Sequence, residues 1–399
     1  MLAHVHHSPA ASRLLLPPSS SSSSSSLSKR RRKQLRIQCN ASTSPKTSSS
    51  LPPGILVQVA KTGWNFGWSI MMNQMAPKDK VSGEYARPES QFRVKDFDDF
   101  QIKDVKKLYL FAGKTCPWAH RTLIVNELLK MRLVESTKEE DLKVEIIYLE
   151  PNKNTGLWTV PQEAIDRIFF RVGDTDKQQP MIETLRDVYS YVSGTKFEGR
   201  ATAPLLISAS KSNTFEIVCN ESSDIIRLFD CCLRGDDENK ENLLYPKENR
   251  KEIDEMCTYL FENINNGVYK AGFAQSQSAL DDAIDKLFDA FDVLDAKLAE
   301  NSTFLLGDSL TLADICFYTT LVRFDAVYNH LFRCTRKRVC DYEHLSRYLR
   351  TLYAVDAFRE TTDIAGIREQ YYTSLFPLNP GGIVPPLPFS SSEAWLSDL

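Results

Sequence analysis

A single cysteine between a predicted strand and a predicted helix constrains this chain more than any other feature. Residues 116–119 read Cys-Pro-Trp-Ala and follow the apolar run Leu108–Ala112. Apolar residues recur at helical spacing from Pro117 onward, and proline suits the first helical position because an N–H group there has no intrahelical partner. The free amides and the positive end of the helix dipole favour a thiolate. We therefore predict a reactive Cys116 with a lowered pKa.

The same turn lacks the second thiol of a dithiol enzyme. Ala119 occupies the position of that second cysteine, so Cys116 cannot form a disulfide within the turn. A lone activated thiol needs a thiol from another molecule, and glutathione is the obvious source. We expect His120 and Arg121 to add positive potential beside it. The alternative is a buried structural cysteine, because free cysteine is a common core residue.

The order of the predicted elements indicates an α/β thioredoxin-like domain followed by an all-α helical domain. Two apolar strands flank the helix that starts at Pro117, and this helix-length crossover makes them parallel. After an irregular excursion over 150–200, two short strands joined by a polar turn predict a hairpin that leads into a helix. The remaining chain is helical in pattern, and Thr311 with Asp314 predicts a capping box. The predicted strands are 107–112, 144–149, 203–207 and 215–218, and the helix after the hairpin is 222–229.

The first forty residues have the composition of a transit peptide. No acidic residue precedes Asp79, serine fills positions 19–26, and basic residues fill positions 29–33. We expect import into the chloroplast, with the mitochondrion as the alternative; a basic tail for nucleic acid or a nuclear signal is the competing interpretation. The predicted segments are the transit peptide 1–40, a linker and extended lead-in 41–105, a thioredoxin-like glutathione-binding domain 106–235, an all-helical domain 250–376 and a Pro-rich C-terminal extension 377–399.

Charge and cysteine spacing exclude several classes of protein. Residues 1–39 hold seven of the 49 basic residues and no acidic one. The rest therefore has 42 basic against 52 acidic residues, a formal charge of −10, which argues against nucleic acid as a partner. No stretch approaches an uninterrupted membrane span, so no membrane partner is expected. The nine cysteines fit no zinc spacing, so we expect no metal, and scattered single thiols indicate a reducing compartment.

Two further positions suit a glutathione site near the thiol. Pro204 opens the third strand, where a thioredoxin-like domain has a cis-proline; an ordinary trans-proline at a strand edge is the alternative. Glu221 and Ser222 precede the next helix. The helix amides and the Ser222 hydroxyl suit the carboxylate of an α-amino acid, and Glu221 suits its ammonium group. Ser222 is also expected to cap this helix.

Taken together, these motifs resemble the glutathione transferases and, more narrowly, the Xi class, the glutathionyl-hydroquinone reductases. The resemblance covers roughly residues 85–386. The general likeness rests on Cys-Pro-Trp-Ala-His-Arg-Thr at 116–122, Thr-Ala-Pro-Leu-Leu at 202–206, Asn-Glu-Ser at 220–222 and Thr-Leu-Ala-Asp-Ile at 311–315. The Xi likeness rests on Ser-Gln-Phe-Arg at 90–93, Asn-Asn-Gly-Val-Tyr-Lys-Ala-Gly-Phe at 265–273, Arg-Phe-Asp-Ala-Val-Tyr at 323–328, Tyr-Tyr at 371–372 and Asn-Pro-Gly-Gly-Ile-Val-Pro at 379–385.

This resemblance implies a homodimer that reduces glutathionyl-hydroquinones to hydroquinones through a cysteine–glutathione mixed disulfide, with glutathione as co-substrate. It makes Cys116 the nucleophile and places Tyr269, Tyr371 and Tyr328 at the hydroquinone, with Tyr269 or Tyr371 as proton donor. The alternative for each tyrosine is a core or interface residue that uses its hydroxyl for one hydrogen bond. The residues that the resemblance assigns to glutathione are Trp158, Ala203, Pro204, Glu221 and Ser222.

Two other functions stay open at this point. An Omega-like thioltransferase or dehydroascorbate reductase would use the same Cys116 and would need no tyrosine cluster. A non-catalytic glutathione-binding regulatory protein would keep its role without Cys116, and the intact Cys-Pro turn counts against it.

Overall fold

The cysteine belongs to a domain built on a four-stranded sheet. The computed structural model describes residues 53–79, 83–94, 97, 105–133, 144–152, 155–169, 181–212, 214–232, 243–300, 302–387 and 396. The strands are β1 (Val105–Ala112), β2 (Val144–Tyr148), β3 (Glu150–Pro151), β4 (Trp158–Thr159), β5 (Leu205–Ser210) and β6 (Phe215–Cys219). Strand order is β2–β1–β5–β6, with β1 parallel to β2 and antiparallel to β5. The predicted βαβ unit and the β5–β6 hairpin are confirmed.

Helices cover both faces of this sheet and form the second domain. They are α1 (Pro53–Met75), α2 (Pro117–Leu133), α3 (Gln162–Phe169), α4 (Leu185–Ser193), α5 (Ser222–Cys232), α6 (Arg250–Leu260), α7 (Gly267–Gly272), α8 (Gln277–Ala299), α9 (Leu312–Arg323), α10 (Asn329–Leu331), α11 (Glu343–Tyr353), α12 (Asp356–Glu360) and α13 (Ile364–Ser374). The thioredoxin-like plus all-α fold class is confirmed, and from Val57 onward the described residues form one compact unit.

The sheet separates two hydrophobic cores because successive strand side chains point to opposite faces. Leu110 of β1 belongs to the larger core, which includes α2, α5 and the helical domain. The next residue, Phe111, belongs to a smaller core with α3 and α4. The turn that carries Cys116 is therefore fixed between a sheet buried on both faces and the helical domain.

Helix α9 lies at the centre of the helical domain, and all of its residues from Leu312 to Arg323 are buried. A helix that is apolar on all sides is expected to be enclosed in this way. At its start, the Asp314 carboxylate accepts a hydrogen bond of 2.8 Å from the Thr311 N–H, as the predicted capping box requires. Its last residue is an arginine, which brings a charged group into the interior.

The segment expected to be a linker and extended lead-in contains a long helix instead. Pro53 occupies the first position of α1, and the next proline is Pro77, so no proline interrupts the 23 residues between. The linker prediction extended the composition of the serine-rich residues before position 51 too far along the chain. The predicted transit peptide 1–40 lies outside the described residues. Among the helices that the structure describes, none is long and apolar enough to span a membrane.

Candidate active site

Cys116 lies in the turn between β1 and α2. Its N–H donates to the Gly113 carbonyl over 3.1 Å, and its carbonyl accepts from the His120 N–H over 2.9 Å, so Cys116 opens helix α2. The half-buried thiol donates to the Ala203 carbonyl, with Sγ and O 3.6 Å apart. The Ala203–Pro204 peptide is cis, which decides between the two isomers that the sequence left open. The thiol and the proline loop therefore face each other at the edge of the sheet.

Burial raises the pKa of the Cys116 thiol, so the predicted lowering is wrong. The N–H groups of the first turn of α2 and the guanidinium groups of Arg323 and Arg87 lower the pKa, but they do not overcome desolvation. The hydrogen bond to the Ala203 carbonyl also favours the protonated form, because a thiolate has no proton to donate.

The cations predicted beside the thiol are not those that the structure supplies. Burial and the charge of Arg323 hold the pKa of His120 well below its usual value, so this imidazole is neutral. With Nδ1 accepting from Arg323 over 3.0 Å, the proton is assigned to Nε2, which lies 3.1 Å from the Thr361 hydroxyl. Arg121 donates to the side-chain oxygen of Asn265 over 2.8 Å.

A cavity of about 380 Å³ opens beside the cis-proline loop. Four segments of chain form its wall, and each includes a residue of a motif identified in the sequence. They are 87–91, Trp118, 198–204 and 220–222, with Arg186 completing the wall. Ala203, Pro204, Glu221 and Ser222 thus come together, as predicted for a single binding site. No group of three potential metal ligands occurs in the described part of the chain.

Glu221 of the cavity wall is an acidic residue whose charged form is stabilised by hydrogen bonds and nearby cations. Its carboxylate accepts hydrogen bonds of 2.8 Å from the Ser90 hydroxyl and 3.2 Å from the Ser223 N–H. Burial opposes ionisation, but these hydrogen bonds and the charges of Arg87 and Arg121 outweigh it and lower the pKa of Glu221. The Glu221 side chain, not that of the predicted Ser222, accepts a hydrogen bond from a backbone N–H of the first turn of α5, that of Ser223.

A hydrogen bond to Asn220 and an ion pair with Asp224 hold residues 90–93 against the start of α5, where the Glu221 carboxylate lies. The side-chain oxygen of Asn220 accepts from the Phe92 N–H over 3.2 Å, and its amide group donates to the Tyr189 hydroxyl over 3.1 Å. Arg93 forms an ion pair of 2.5 Å with Asp224 of α5. The Ser-Gln-Phe-Arg stretch, known from the sequence only as a family signature, therefore contributes Ser90 and Gln91 to the cavity wall, while Phe92 and Arg93 bond to residues beside Glu221.

Three tyrosines of the helical domain meet near the thiol. The Tyr371 hydroxyl lies 2.7 Å from that of Tyr269 and 3.0 Å from that of Tyr328, so the three phenols form one hydrogen-bonded chain. Burial raises the pKa of all three, which keeps them protonated at neutral pH. Tyr269 packs on Trp118 with ring centroids 6.1 Å apart, whereas Tyr328 is fully buried and reaches the site through Tyr371.

Two tryptophans lie at different distances from the cavity. Trp158 packs on the turn before Cys116, where a Cβ on Gly113 would lie 2.4 Å from the Trp158 ring. Trp158 is not among the residues that line the cavity, and its contact with glutathione stays a prediction. Trp118 does line it, and its ring lies 3.9 Å from the Arg87 guanidinium.

Sequence reasoning missed the roles of Arg87, Trp118 and Arg323. In the sequence, Trp118 and Arg323 stand out only as members of the family motifs. One signal for Arg323 was available, because an arginine at the end of a helix with apolar residues on every side must bury its charge or leave the core. No comparable signal marks Arg87, whose position depends on how the segment before β1 folds back over α2.

Comparison with curated proteins identifies the family. "Glutathionyl-hydroquinone reductase YqjG" from Escherichia coli is 36% identical over 283 residues, which are 71% of this chain and 80% of that protein. "Glutathionyl-hydroquinone reductase PcpF" from Sphingobium chlorophenolicum is 35% identical and covers 76% of this chain and 89% of its own length. This chain belongs to the Xi-class glutathione transferases. The family model "Glutathione S-transferase, C-terminal domain" matches residues 277–351 of this Xi-class member.

Solved structures agree with this assignment. The Xi glutathione transferase of Phanerochaete chrysosporium is 32% identical, with a TM-score of 0.63, and covers 78% of this Xi-class chain and 95% of its own. The glutathione-bound structure of YqjG from E. coli is 34% identical, with a TM-score of 0.60, and covers 73% and 87%. A relative named "Glutathione S-transferase omega-like 2" from Schizosaccharomyces pombe is 36% identical over 78% of this chain and 95% of that protein.

Proposed function

We propose that this Xi-class member reduces glutathionyl-hydroquinones to hydroquinones with glutathione as co-substrate. The observation that carries the proposal is the meeting of one thiol, Cys116, with a chain of three protonated phenols beside a cavity that contains an ionised carboxylate. A thioltransferase needs the thiol and the cavity, whereas the phenols add a proton source and hydrogen bonds suited to an aromatic diol.

The cavity fits glutathione in size and in the order of its polar groups. A volume of about 380 Å³ lies within the usual range for small-ligand sites. The ionised Glu221 suits the ammonium group of the γ-glutamyl end, with Ser222 at its carboxylate. Ala203 and Pro204 border the cavity on the side of the thiol, so the cysteinyl part of glutathione would lie beside Cys116 Sγ.

The proposed reaction has two displacements at sulfur. The thiolate of Cys116 attacks the sulfur of the glutathionyl group, a disulfide bond forms, and the bond between sulfur and the ring carbon breaks. The electron pair of that bond goes to the ring carbon, which takes a proton supplied by Tyr269 or Tyr371 to give the hydroquinone. A second glutathione then loses its thiol proton, which restores the tyrosine hydroxyl, and its thiolate attacks the mixed disulfide, releasing oxidised glutathione and restoring the Cys116 thiolate.

The decisive experiment compares Cys116→Ser with Cys340→Ser, a matched variant of another half-buried cysteine. With glutathionyl-menadione, Cys116→Ser should lose activity to background and show no glutathione adduct by intact-protein mass spectrometry, whereas Cys340→Ser should keep both. A Cys116→Ser enzyme that works at the wild-type rate would overturn the mechanism.

The Omega-like thioltransferase is the second candidate, favoured by the relatives that carry the omega-like name. The two candidates differ in substrate preference. The ratio of kcat/KM for glutathionyl-menadione to that for a small glutathione mixed disulfide separates them, because only the first substrate has a carbon leaving group that needs a proton. A ratio well below one would favour the thioltransferase.

Two further proposals concern the protein in the cell. We propose a homodimer, as the family implies, and light scattering coupled to size-exclusion chromatography tests it.

The acid-free, serine-rich composition of residues 1–40 supports import into the chloroplast. A fluorescent protein fused to these residues should enter the chloroplast, and retention in the cytosol would contradict the proposal.

A further inference from the structure

The buried end of α9 holds a guanidinium that the proposed reaction does not use. Arg323 is fully buried. Its Nη1 donates to the Thr319 carbonyl over 2.8 Å and to His120 Nδ1 over 3.0 Å. Its Nε and Nη2 both donate to the Thr115 carbonyl, over 3.4 and 3.2 Å. Because Thr115 directly precedes Cys116, the guanidinium holds the peptide that leads into the nucleophile.

All of these acceptors are neutral. Two are backbone carbonyls, and the third is the imidazole of His120, which burial keeps uncharged. Within the ranges that the structure describes, no carboxylate lies within 4.0 Å of the Arg323 guanidinium. The contrast is Arg227, a largely buried guanidinium that pairs with Asp254 over 2.6 Å. A buried cation without an anion is costly, so its retention needs a reason.

We propose that Arg323 is a positioning residue for the Cys116 nucleophile, which holds the Thr115–Cys116 peptide and supplies the fixed positive charge that the thiolate pairs with when it forms. The charge of Arg323 is uncompensated while Cys116 is a thiol and is compensated when Cys116 ionises. The loss of the thiol proton is therefore favoured at the one cysteine whose loop the guanidinium holds. The proposal rests on the assignment of Cys116 as the nucleophile of the proposed function.

Other groups that face the thiol cannot replace this cation. The partly exposed Arg87 stacks on Trp118, and solvent screens its charge more than that of a fully buried group. His120 of α2 is neutral, and burial keeps the phenols protonated. The titratable or charged residues that act on or contact Cys116 from the surrounding elements are Arg87, Tyr269, Tyr328 and Arg323, together with His120, which contacts it through its backbone N–H.

The test is the pH dependence of Cys116 alkylation by iodoacetamide in the full-length protein, followed by mass spectrometry of the peptide that contains Cys116. Arg323→Gln removes the charge and keeps a hydrogen-bond donor. Arg323→Lys keeps the charge and loses the set of N–H donors by which the guanidinium holds the Thr115 carbonyl. We expect the Gln variant to raise the midpoint by about one pH unit and to slow alkylation about tenfold at neutral pH. The Lys variant should stay within about half a unit of the wild type.

Arg227→Gln is the matched control, since it removes a buried guanidinium that already has a carboxylate partner. Its alkylation midpoint should equal that of the wild type. A folded Arg323→Gln protein with the wild-type midpoint would overturn the proposal, as would equal shifts in the Gln and Lys variants. If the Gln variant does not fold, the Lys variant decides: a shift of about one unit despite the retained charge rejects the electrostatic role.

The outcome is independent of turnover. Alkylation needs neither glutathione nor a hydroquinone, so failure of the proposed function leaves the expected shift unchanged. Conversely, an unshifted midpoint in Arg323→Gln rejects the role of Arg323 and leaves the reduction of glutathionyl-hydroquinones intact.

Discussion

Two junctions of the thioredoxin-like domain place an acidic side chain immediately before a helix, and the surroundings shift their pKa values in opposite directions. Cys116 precedes α2 and Glu221 precedes α5, and in both cases the backbone carbonyl of the residue accepts a hydrogen bond from the first turn. The pKa of Cys116 is raised, whereas that of Glu221 is lowered. Position at a helix start is therefore not what decides ionisation.

The difference lies in what each side chain meets. The Glu221 carboxylate accepts hydrogen bonds from a serine hydroxyl and a backbone N–H, all of which favour the charged form. The Cys116 thiol instead donates to the Ala203 carbonyl, which favours the neutral form, and its nearest cations do not overcome burial. Under the proposed function, the ionised Glu221 would bind the ammonium group of glutathione, and Cys116 would form its thiolate during the reaction.

The largest effect predicted from the difference between the two junctions is at the Cys116 junction. Tyr371→Phe and Tyr269→Phe should lower kcat for glutathionyl-menadione by on the order of a hundredfold, because the carbon leaving group loses its proton donor. The rate on a small glutathione mixed disulfide should change little. Tyr245→Phe, which removes a hydroxyl bound to Asp254 outside the cavity, is the control. Equal losses on both substrates would reduce the phenols to packing residues and favour the thioltransferase.

At the Glu221 junction, Glu221→Gln removes the proposed charged partner of the ammonium group of glutathione. It should raise KM for glutathione by about tenfold or more, since a hydrogen bond to a charged group contributes about 1.5–3 kcal/mol. Both substrates should be affected alike, with kcat largely kept. Glu198→Gln, a second glutamate on the cavity wall, is the matched control and should leave KM close to the wild-type value. A loss of kcat without a change in KM would contradict the assignment of binding to this junction.

The raised pKa of Cys116 predicts a specific pH profile. Alkylation of Cys116 should accelerate through a midpoint above the value of about 8.5 for free cysteine, since burial disfavours the thiolate. The measurement is the rate of iodoacetamide modification of the peptide that contains Cys116, with free glutathione as the reference thiol. A midpoint below that of the reference would show that the helix dipole and the two guanidinium groups outweigh burial.

The smallest predicted effect concerns one donor of the Glu221 junction. Ser90→Ala removes the hydrogen bond of 2.8 Å to Glu221, and should raise KM for glutathione about fivefold, the equivalent of about 1 kcal/mol. The same hydrogen bond helps to lower the pKa of the Glu221 carboxyl group in the folded protein. A lowered pKa stabilises the fold at pH values above the pKa of the unfolded state, and this stabilisation is lost as the pH falls through the pKa of the folded state.

Thermal unfolding measures this second effect. The Tm difference between wild type and Ser90→Ala should be largest near neutral pH and should shrink below about pH 4. Ser212→Ala, in the turn of the β5–β6 hairpin, should show no such pH dependence. A Tm difference that stays constant through the acid range would mean that Ser90 acts by packing alone.

Local patterns were sufficient for much of the fold and for part of the site, namely Cys116 and the positions around Pro204 and Glu221. Proline at the first helical position, strand-length apolar runs and a short polar turn each depend on neighbours in the chain, and they located Cys116, the βαβ unit and the hairpin. The pairing of Glu221 and Pro204 in one cavity also followed, because the order of strands in a thioredoxin-like sheet brings their ends together. Helix α1 was missed because composition alone marked its segment as a linker.

What only the tertiary structure decided is the charge state of the groups at the thiol. His120 and Arg121 follow Cys116 by four and five residues in the chain, yet one is neutral and the other donates to Asn265. The guanidinium that reaches the turn comes from Arg323, some two hundred residues away in the chain. Sequence determines which side chains stand at a helix start, but desolvation and the donors or acceptors that approach from distant elements set their pKa, and these depend on packing between the two domains.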